Sequence, residues 1–217
     1  MAKLILIRHG QSLWNKLNIF TGWVDIPLSE KGIEEALKAG EDLQEVKIDR
    51  IYVSTLSRAL MTGMLVMAKN KVSLAPRVVH PGENLHNDKI EGMTTPVIRS
   101  EAINERMYGA LQGCNKDEVK EKHGEDQFKL WRRSYATAPP EGESLKMTGE
   151  RTIPYFEKEI KPHLLDGKTV MVSAHGNSLR ALIMHLDGLS EEEVCSLEIP
   201  TGQPIIYSVE NKTFSKQ

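Results

Sequence analysis

The sequence predicts a three-layer α/β/α sandwich, with a mostly parallel central sheet and a helical cap inserted over the sheet's carboxyl edge. Three observations predict it. The runs Leu4-Ile5-Leu6-Ile7 and Val170-Met171-Val172 are continuous aliphatic stretches, as expected of strands buried on both faces. Such strands alternate along the chain with segments of helical period, the order that places helices on both faces of one sheet. A helical, charged stretch from about 105 to 150 interrupts that alternation and is left as the cap. Residues 1–217 are expected to form one domain, with the insertion at about 83–150.

Each element has its own signal. After the first strand a polar loop runs from Gly10 to Leu28. Ser29 can cap a helix reaching about Val46, with Ile33, Ala36, Leu37, Gly40 and Leu43 at helical spacing. Arg50 to Ser54 is a second strand, followed by a helix from about Ser57 to Ala68. Arg77 to His80 is a third short strand, ended by Pro81-Gly82. Residues 83–104 have no clean period and are expected to be a long loop. Asn115 and Glu118 have capping-box spacing before a short charged helix ending at Gly124, and a second helix carries Phe128, Leu130, Trp131, Arg132 and Arg133. A turn at 137–142 precedes a helix capped by Ser144 and kinked at Pro154. After the 170–174 strand, Asn177 to Leu186 is helical, Ser190 and Glu193 have capping-box spacing, and Ile205 to Val209 is the last strand.

Composition narrows the function. The 217 residues are 40% hydrophobic and 27% charged, enough for a large core in one globular domain. A net charge of -2 gives no global field toward nucleic acid or membrane, so any positive site must be local. Aromatic residues, at 6%, are not interleaved with a basic stretch as single-strand binding requires. No apolar stretch approaches the ~20 residues that span a bilayer, and the amino terminus lacks the pattern of a secretory signal. Cys114 and Cys195 stand outside any CxxC pair, which fits free thiols in a reducing compartment. A cytoplasmic protein is expected, without nucleic-acid or membrane partners.

The chemistry begins with a repetition. Both aliphatic strands end in His-Gly, at His9-Gly10 and at His175-Gly176. Ligands bind at the carboxyl ends of parallel strands, and a glycine there lets the backbone turn and approach a ligand. If the strands are neighbours, two imidazoles and Arg8 converge on a site for an anion, best a phosphoryl group. A neutral imidazole has a ring nitrogen available near pH 7, so His9 is the candidate nucleophile, with its other nitrogen donating to a backbone carbonyl. Arg8 offers bidentate donors to phosphoryl oxygens. Arg58, at a strand-to-helix junction, can reach the same pocket. His175 can donate to the transferring group, and Glu105 can act as general acid, then base. Lys116, Arg132 and Arg133 can clamp the anionic end of a substrate.

Each residue also has a plainer account. Arg8-His9 could be a solvated strand end, Arg58 a first-turn surface arginine, and His175 a histidine satisfied by backbone. The cap cations could form the charged face of a surface helix. The second His-Gly tips the balance for the histidines; for Arg58 and the cap residues the sequence alone favours the plainer account. His80, His86 and Asp88 match no metal-ligand spacing and are taken as a polar loop.

These blocks together resemble a family. Leu6-Ile7-Arg8-His9-Gly10-Gln11-Ser12-Leu13-Trp14-Asn15 resembles the phosphohistidine motif of the histidine phosphatase superfamily. Residues 20–29, 104–113, 131–133, 139–144 and 173–180 are similar to its cofactor-dependent phosphoglycerate mutase branch, in the right order and over most of the chain. The resemblance implies that His9 is phosphorylated, that Glu105 moves the proton, and that Arg8, Arg58 and His175 hold the phosphoryl group. It implies that Asn15, Thr21, Gly22 and the Gly176-Asn177 backbone line that site. Arg106, Tyr108, Lys116, Arg132 and Arg133 would bind the rest of a phosphoglycerate. It further implies glycolytic and gluconeogenic interconversion of 3- and 2-phosphoglycerate, priming by 2,3-bisphosphoglycerate, no metal, and a homodimer or homotetramer. Residues 70–104 depart from the tryptophan-richer stretch of many members. The alternatives are a histidine-nucleophile phosphomonoesterase on the same fold and a non-catalytic phospholigand-binding protein, with a metal-dependent hydrolase more distant.

Overall fold

The structure, a computed structural model, describes residues 2–80, 90 and 92–217. In chain order its elements are β1 (Ala2–Arg8), α1 (Leu13–Lys16), α2 (Glu30–Asp42), β2 (Arg50–Val53), α3 (Ser57–Lys69), β3 (Pro76–Val78) and β4 (Thr95–Arg99). There follow α4 (Lys116–His123), α5 (Glu125–Arg133), α6 (Leu145–Tyr155), α7 (Lys161–Leu165), β5 (Val170–Ala174), α8 (Gly176–Asp187), α9 (Glu191–Ser196), β6 (Pro204–Glu210) and β7 (Thr213–Lys216). The strands form one sheet in the order β3-β4-β2-β5-β1-β6-β7. β1 to β5 run parallel, and β6 and β7 add an antiparallel edge.

Alternation along β1 explains the three layers. Ile5 and Ile7 pack with Ile51, Val53 and Met171 against Ala39 and Leu43 near α2 and Val66 and Met67 of α3. Leu4 and Leu6 face the other way, toward Phe156, Ile160, Leu164, Leu179, Leu182 and Ile183. These side chains are 0–1% exposed except Met67, and each but Ala39 contributes about 1.5–3 kcal/mol by leaving water. The continuous aliphatic run is therefore a strand with a core on each side.

The central relation is the register of β1 and β5. Leu4 pairs with Val170 and Arg8 with Ala174, and the ladder continues as the His9 N–H donates to the Ala174 carbonyl at 3.0 Å. Both His-Gly pairs thus leave the sheet side by side.

Sequence signals located the helix starts well. Ser29 accepts from the Gly32 N–H, Ser144 from Met147, and Ser190 forms a full capping box with Glu193. Asn115 caps α4 through its own side chain, which accepts from Asp117 and Glu118. Pro154 lies inside α6, and a π-helical turn, Phe156–Ile160, follows it while keeping Phe156 and Ile160 in the core.

Two expectations need correcting. The long loop expected over 83–104 contains β4, whose Thr95 and Val97 are buried between β3 and β2. Pro96 inside so short a run argued against a strand. Ile205–Val209 is not the last strand: β7 returns antiparallel to β6 through Asn211 and Lys212, both at positive φ. α6 packs on α8, in the helical layer of the sheet. Pro81, Gly82, His86 and Asp88 lie outside the described residues.

Candidate active site

The carboxyl ends of β1 and β5 open into a cleft whose opposite wall comes from the segment between β4 and α6. Arg8, His9, Gly176 and Asn177 line it from the sheet side, Asn15, Thr21, Gly22 and Arg58 from the β1–α2 loop and α3, and Glu105, Tyr108, Lys116, Arg132 and Arg133 from the insertion. His175 lies fully buried just beneath, its ring 4.9 Å from that of His9 and tilted by 61°.

A backbone partner assigns the ring nitrogens of His9. His9 Nδ1 is 2.7 Å from the Gly10 carbonyl oxygen, which can only accept, so Nδ1 carries the hydrogen. Nε2 is left with its lone pair. His175 Nε2 is 2.7 Å from Ser54 Oγ, whose lone pair already accepts the Leu56 N–H. Ser54 Oγ keeps a second lone pair as well as its own hydrogen, so this contact serves either His175 tautomer, and the buried His175 Nδ1 has no protein partner. Burial first, then Arg58 and Arg8, holds the His9 pKa well below the ordinary imidazole value. Burial, then Arg58 and His9, does the same to His175.

Arg58 is 1% exposed and donates to the Val24 and Gly22 carbonyls at 2.9 and 2.7 Å. Burial pulls its pKa down to about 10, against the opposing fields of Glu105 and Asp25. Gly22 is required here: its φ is +52°, and a Cβ would fall 2.1 Å from Gln112 Oε1. Asn15 accepts the Ser12 N–H through Oδ1, which reserves its amide hydrogens for the cleft. Thr21 Oγ1 is buried without a protein partner.

Glu105 is held from several sides. Its Oε1 accepts the Arg106 N–H at 2.8 Å, the Asn177 N–H at 3.1 Å and Asn177 Nδ2 at 3.0 Å, so one oxygen meets the amino end of α8. Its carbonyl accepts from Trp23 Nε1 and Arg151 Nη2. Arg151 also donates to the carbonyls of Glu101, Ala102 and Asn104 while paired with Glu143. A Cβ on Gly176 would sit 3.7 Å from Arg8 Nε and 3.8 Å from Glu105 Oε2, so the guanidinium and the carboxylate flank the same helix terminus.

The structure brings together all the sequence-predicted residues except Arg106 in one lining or directly beneath it. Arg106 is wholly buried and lies outside the cleft lining. Its Nη2 donates to the Tyr108 hydroxyl, 3.0 Å away, and to the Trp131 and Arg132 carbonyls. Its side chain meets the lining from behind, at the Tyr108 hydroxyl and the Arg132 carbonyl. Sequence reasoning missed Arg180 and Glu198. Arg180 follows Asn177 by three residues, so both share a face of α8; nothing in the sequence singled out Glu198. In all, six cationic side chains of the lining face two carboxylates, Glu105 and Glu198. Among the described residues no group of three or more His, Cys, Asp or Glu is arranged to hold a metal, and no helix is long and apolar enough to cross a membrane.

Paired histidines under a cationic cleft at the carboxyl edge of a parallel sheet define a protein that handles phosphoryl groups through imidazole. The chain belongs to the histidine phosphatase superfamily (branch 1), whose family description matches residues 4–100 and 87–217. It is 54% identical over 220 residues to a Chlamydia trachomatis protein named 2,3-bisphosphoglycerate-dependent phosphoglycerate mutase, covering 100% of this chain and 97% of that one. It is 51% identical over 224 residues to a Protochlamydia amoebophila protein of the same name, covering 100% and 99%. Among solved structures it is similar to YhfR of Bacillus stearothermophilus, with TM-score 0.79 and 26% identity over 100% of this chain and 95% of that one. A mycobacterial glucosyl-3-phosphoglycerate phosphatase, at TM-score 0.76 and 21% identity over 100% and 97%, shares the fold.

Proposed function

We propose that this chain is a phosphoglycerate mutase, an isomerase that interconverts 3-phosphoglycerate and 2-phosphoglycerate through a phosphohistidine on His9. One observation carries the reading: a buried imidazole, with its tautomer fixed by Gly10, faces a cation-lined cleft that also contains Glu105. Full-length identity of 54% to a protein of that name supports it.

The residues divide the work. His9 Nε2 attacks phosphorus in line; burial keeps it neutral, so no proton must first be removed. Arg8, Arg58 and His175 hold the phosphoryl oxygens, on which charge gathers during transfer. Asn15, Thr21 and the Gly176-Asn177 backbone supply neutral donors. Glu105 protonates the leaving hydroxyl and deprotonates the accepting one. Lys116, Arg132 and Arg133 fix the distal carboxylate, and Tyr108, oriented by Arg106, completes that wall. Covalent capture on His9 splits one awkward migration into two in-line transfers.

The donor set fits 2,3-bisphosphoglycerate, because cations stand at both the histidine end and the distal end of the cleft. When bound, it supplies the priming phosphoryl group. No metal is assigned a role. A cytoplasmic homodimer or homotetramer is the assembly that family resemblance supports. A phosphomonoesterase would share His9, Arg8, Arg58 and His175 but would not need the distal cations.

Incubation with 3-phosphoglycerate, with and without 2,3-bisphosphoglycerate and a chelator, tests the reading. Primer-dependent, chelator-insensitive formation of 2-phosphoglycerate supports it. Release of inorganic phosphate without 2-phosphoglycerate overturns it in favour of the phosphatase.

A further inference from the structure

The cleft is built for anions, yet two carboxylates line it. Glu105 has a part in proton transfer. Glu198 has none, and its charge opposes any phosphorylated acid that enters.

Its backbone is fixed on both sides. The preceding carbonyl, of Leu197, accepts from Arg180 Nε at 2.8 Å, and the following one, of Ile199, accepts from Arg8 Nη1 at 2.7 Å. Ile199 itself is 1% exposed. The chain is thus pinned to two guanidiniums of the cleft, while the Glu198 side chain is 66% exposed. That side chain pairs with Arg133 Nη2 at 2.5 Å and with Arg180 Nη2 at 3.6 Å. An ion pair this exposed is weak and easily exchanged for another. Arg132, next to Arg133, has no carboxylate partner within 4.0 Å among the described residues.

We propose that Glu198 is a built-in competitor for the distal-anion site: it occupies Arg133 and Arg180 until a ligand with an anionic distal group displaces it, and so narrows the cleft's preference for such ligands. A phosphate ester with a neutral tail has nothing to offer those guanidiniums in exchange. It leaves the Glu198 pairs in place and gains nothing from that wall. A distal carboxylate replaces Glu198 charge for charge, and the released Glu198 turns to solvent, where its exposure already puts it. Glu198 thereby lowers affinity for every distal anion by a fixed factor while leaving neutral-tailed esters untouched. The proposal rests on the mutase reading for the identity of the ligand, but its test needs no turnover.

Calorimetry of the full chain with 3-phosphoglycerate and with glycerol 3-phosphate, in which a hydroxymethyl group replaces the carboxylate, provides that test. Glu198→Gln keeps the shape and removes the charge. The expected result is about two- to fivefold tighter binding of 3-phosphoglycerate, the range a weak exposed pair allows, with glycerol 3-phosphate unchanged. Glu198→Asp should stay closer to the unsubstituted protein than Glu198→Gln does. Unchanged or weaker binding of 3-phosphoglycerate by Glu198→Gln overturns the proposal, as does equal tightening of both ligands, which would mark a general field effect. Failure of the unsubstituted chain to form 2-phosphoglycerate would instead count against the mutase reading.

Discussion

The rings of His9 and His175 meet edge to face with their centroids 4.9 Å apart, although they come from opposite ends of the chain. The parallel register of β1 with β5 causes this, since Arg8 lies opposite Ala174 and each strand releases its histidine at the same level. Both imidazoles are buried with Arg58 and Arg8 close by, so neither can readily carry a proton.

That burial has a consequence for stability. Each histidine binds a proton more readily in the unfolded chain than in the fold, so stability rises with pH wherever the unfolded value is being crossed. As pH falls below about 6.5, each should remove up to ~1.4 kcal/mol per pH unit. Denaturant unfolding between pH 7 and 5 should show that loss, with a shallower slope in His175→Asn. A slope unchanged by the substitution would mean that His175 already titrates normally.

In the proposed reaction Glu105 transfers the proton and takes no part in gripping the ligand's anionic groups. Glu105→Gln should lower kcat by about 10²–10⁴ while changing KM little. Steady-state rates with 3-phosphoglycerate check this, and an unchanged kcat would remove Glu105 from the proton-transfer role.

Arg151 acts behind Glu105. It gathers the carbonyls of Glu101, Ala102, Asn104 and Glu105 while paired with Glu143, where both side chains are largely buried. Arg151→Met leaves Glu143 without its cation and frees the strand-to-cap segment. We expect a loss of about 3 kcal/mol in chemical denaturation, and a fall in kcat larger than the change in KM. Equal stability of the variant would show that the network is not holding the segment.

Gly10 and Gly32 bring two backbones into contact beside the nucleophile. A Cβ at Gly10 would fall 2.2 Å from the Gly32 carbonyl oxygen, and one at Gly32 2.0 Å from the Gln11 oxygen. Neither carbonyl can move without shifting α2 or the turn after His9. Gly10→Ala should cost about 3 kcal/mol or more and lower the soluble yield. Thermal unfolding of the variant at wild-type temperature would contradict this.

Much of this site was legible in the sequence because its residues sit at element ends that leave marks. Aliphatic runs gave β1 and β5, and His-Gly marked where they end. Ser29, Ser144 and Ser190 marked helix starts through a chemistry that is local. What escaped depends on contacts distant in sequence. β4 is five residues with Pro96 inside, and only its neighbours β2 and β3 make it a strand. Arg106 carries the same charge as Arg132, yet the fold sends it behind Tyr108. Glu198 is one glutamate among many until the pinned Leu197 and Ile199 carbonyls bring it to Arg133 and Arg180. The Arg151 network joins residues 23, 101, 102, 104, 105, 143 and 151, and no spacing along the chain announces it.

The most direct test of the central claim is to treat the protein with 2,3-bisphosphoglycerate carrying labelled phosphoryl groups and to map the label. The account predicts one acid-labile, base-stable phosphohistidine at His9, absent from His9→Ala and present in Glu198→Gln. Label retained by His9→Ala, or found on any other residue of the unsubstituted chain, would contradict it.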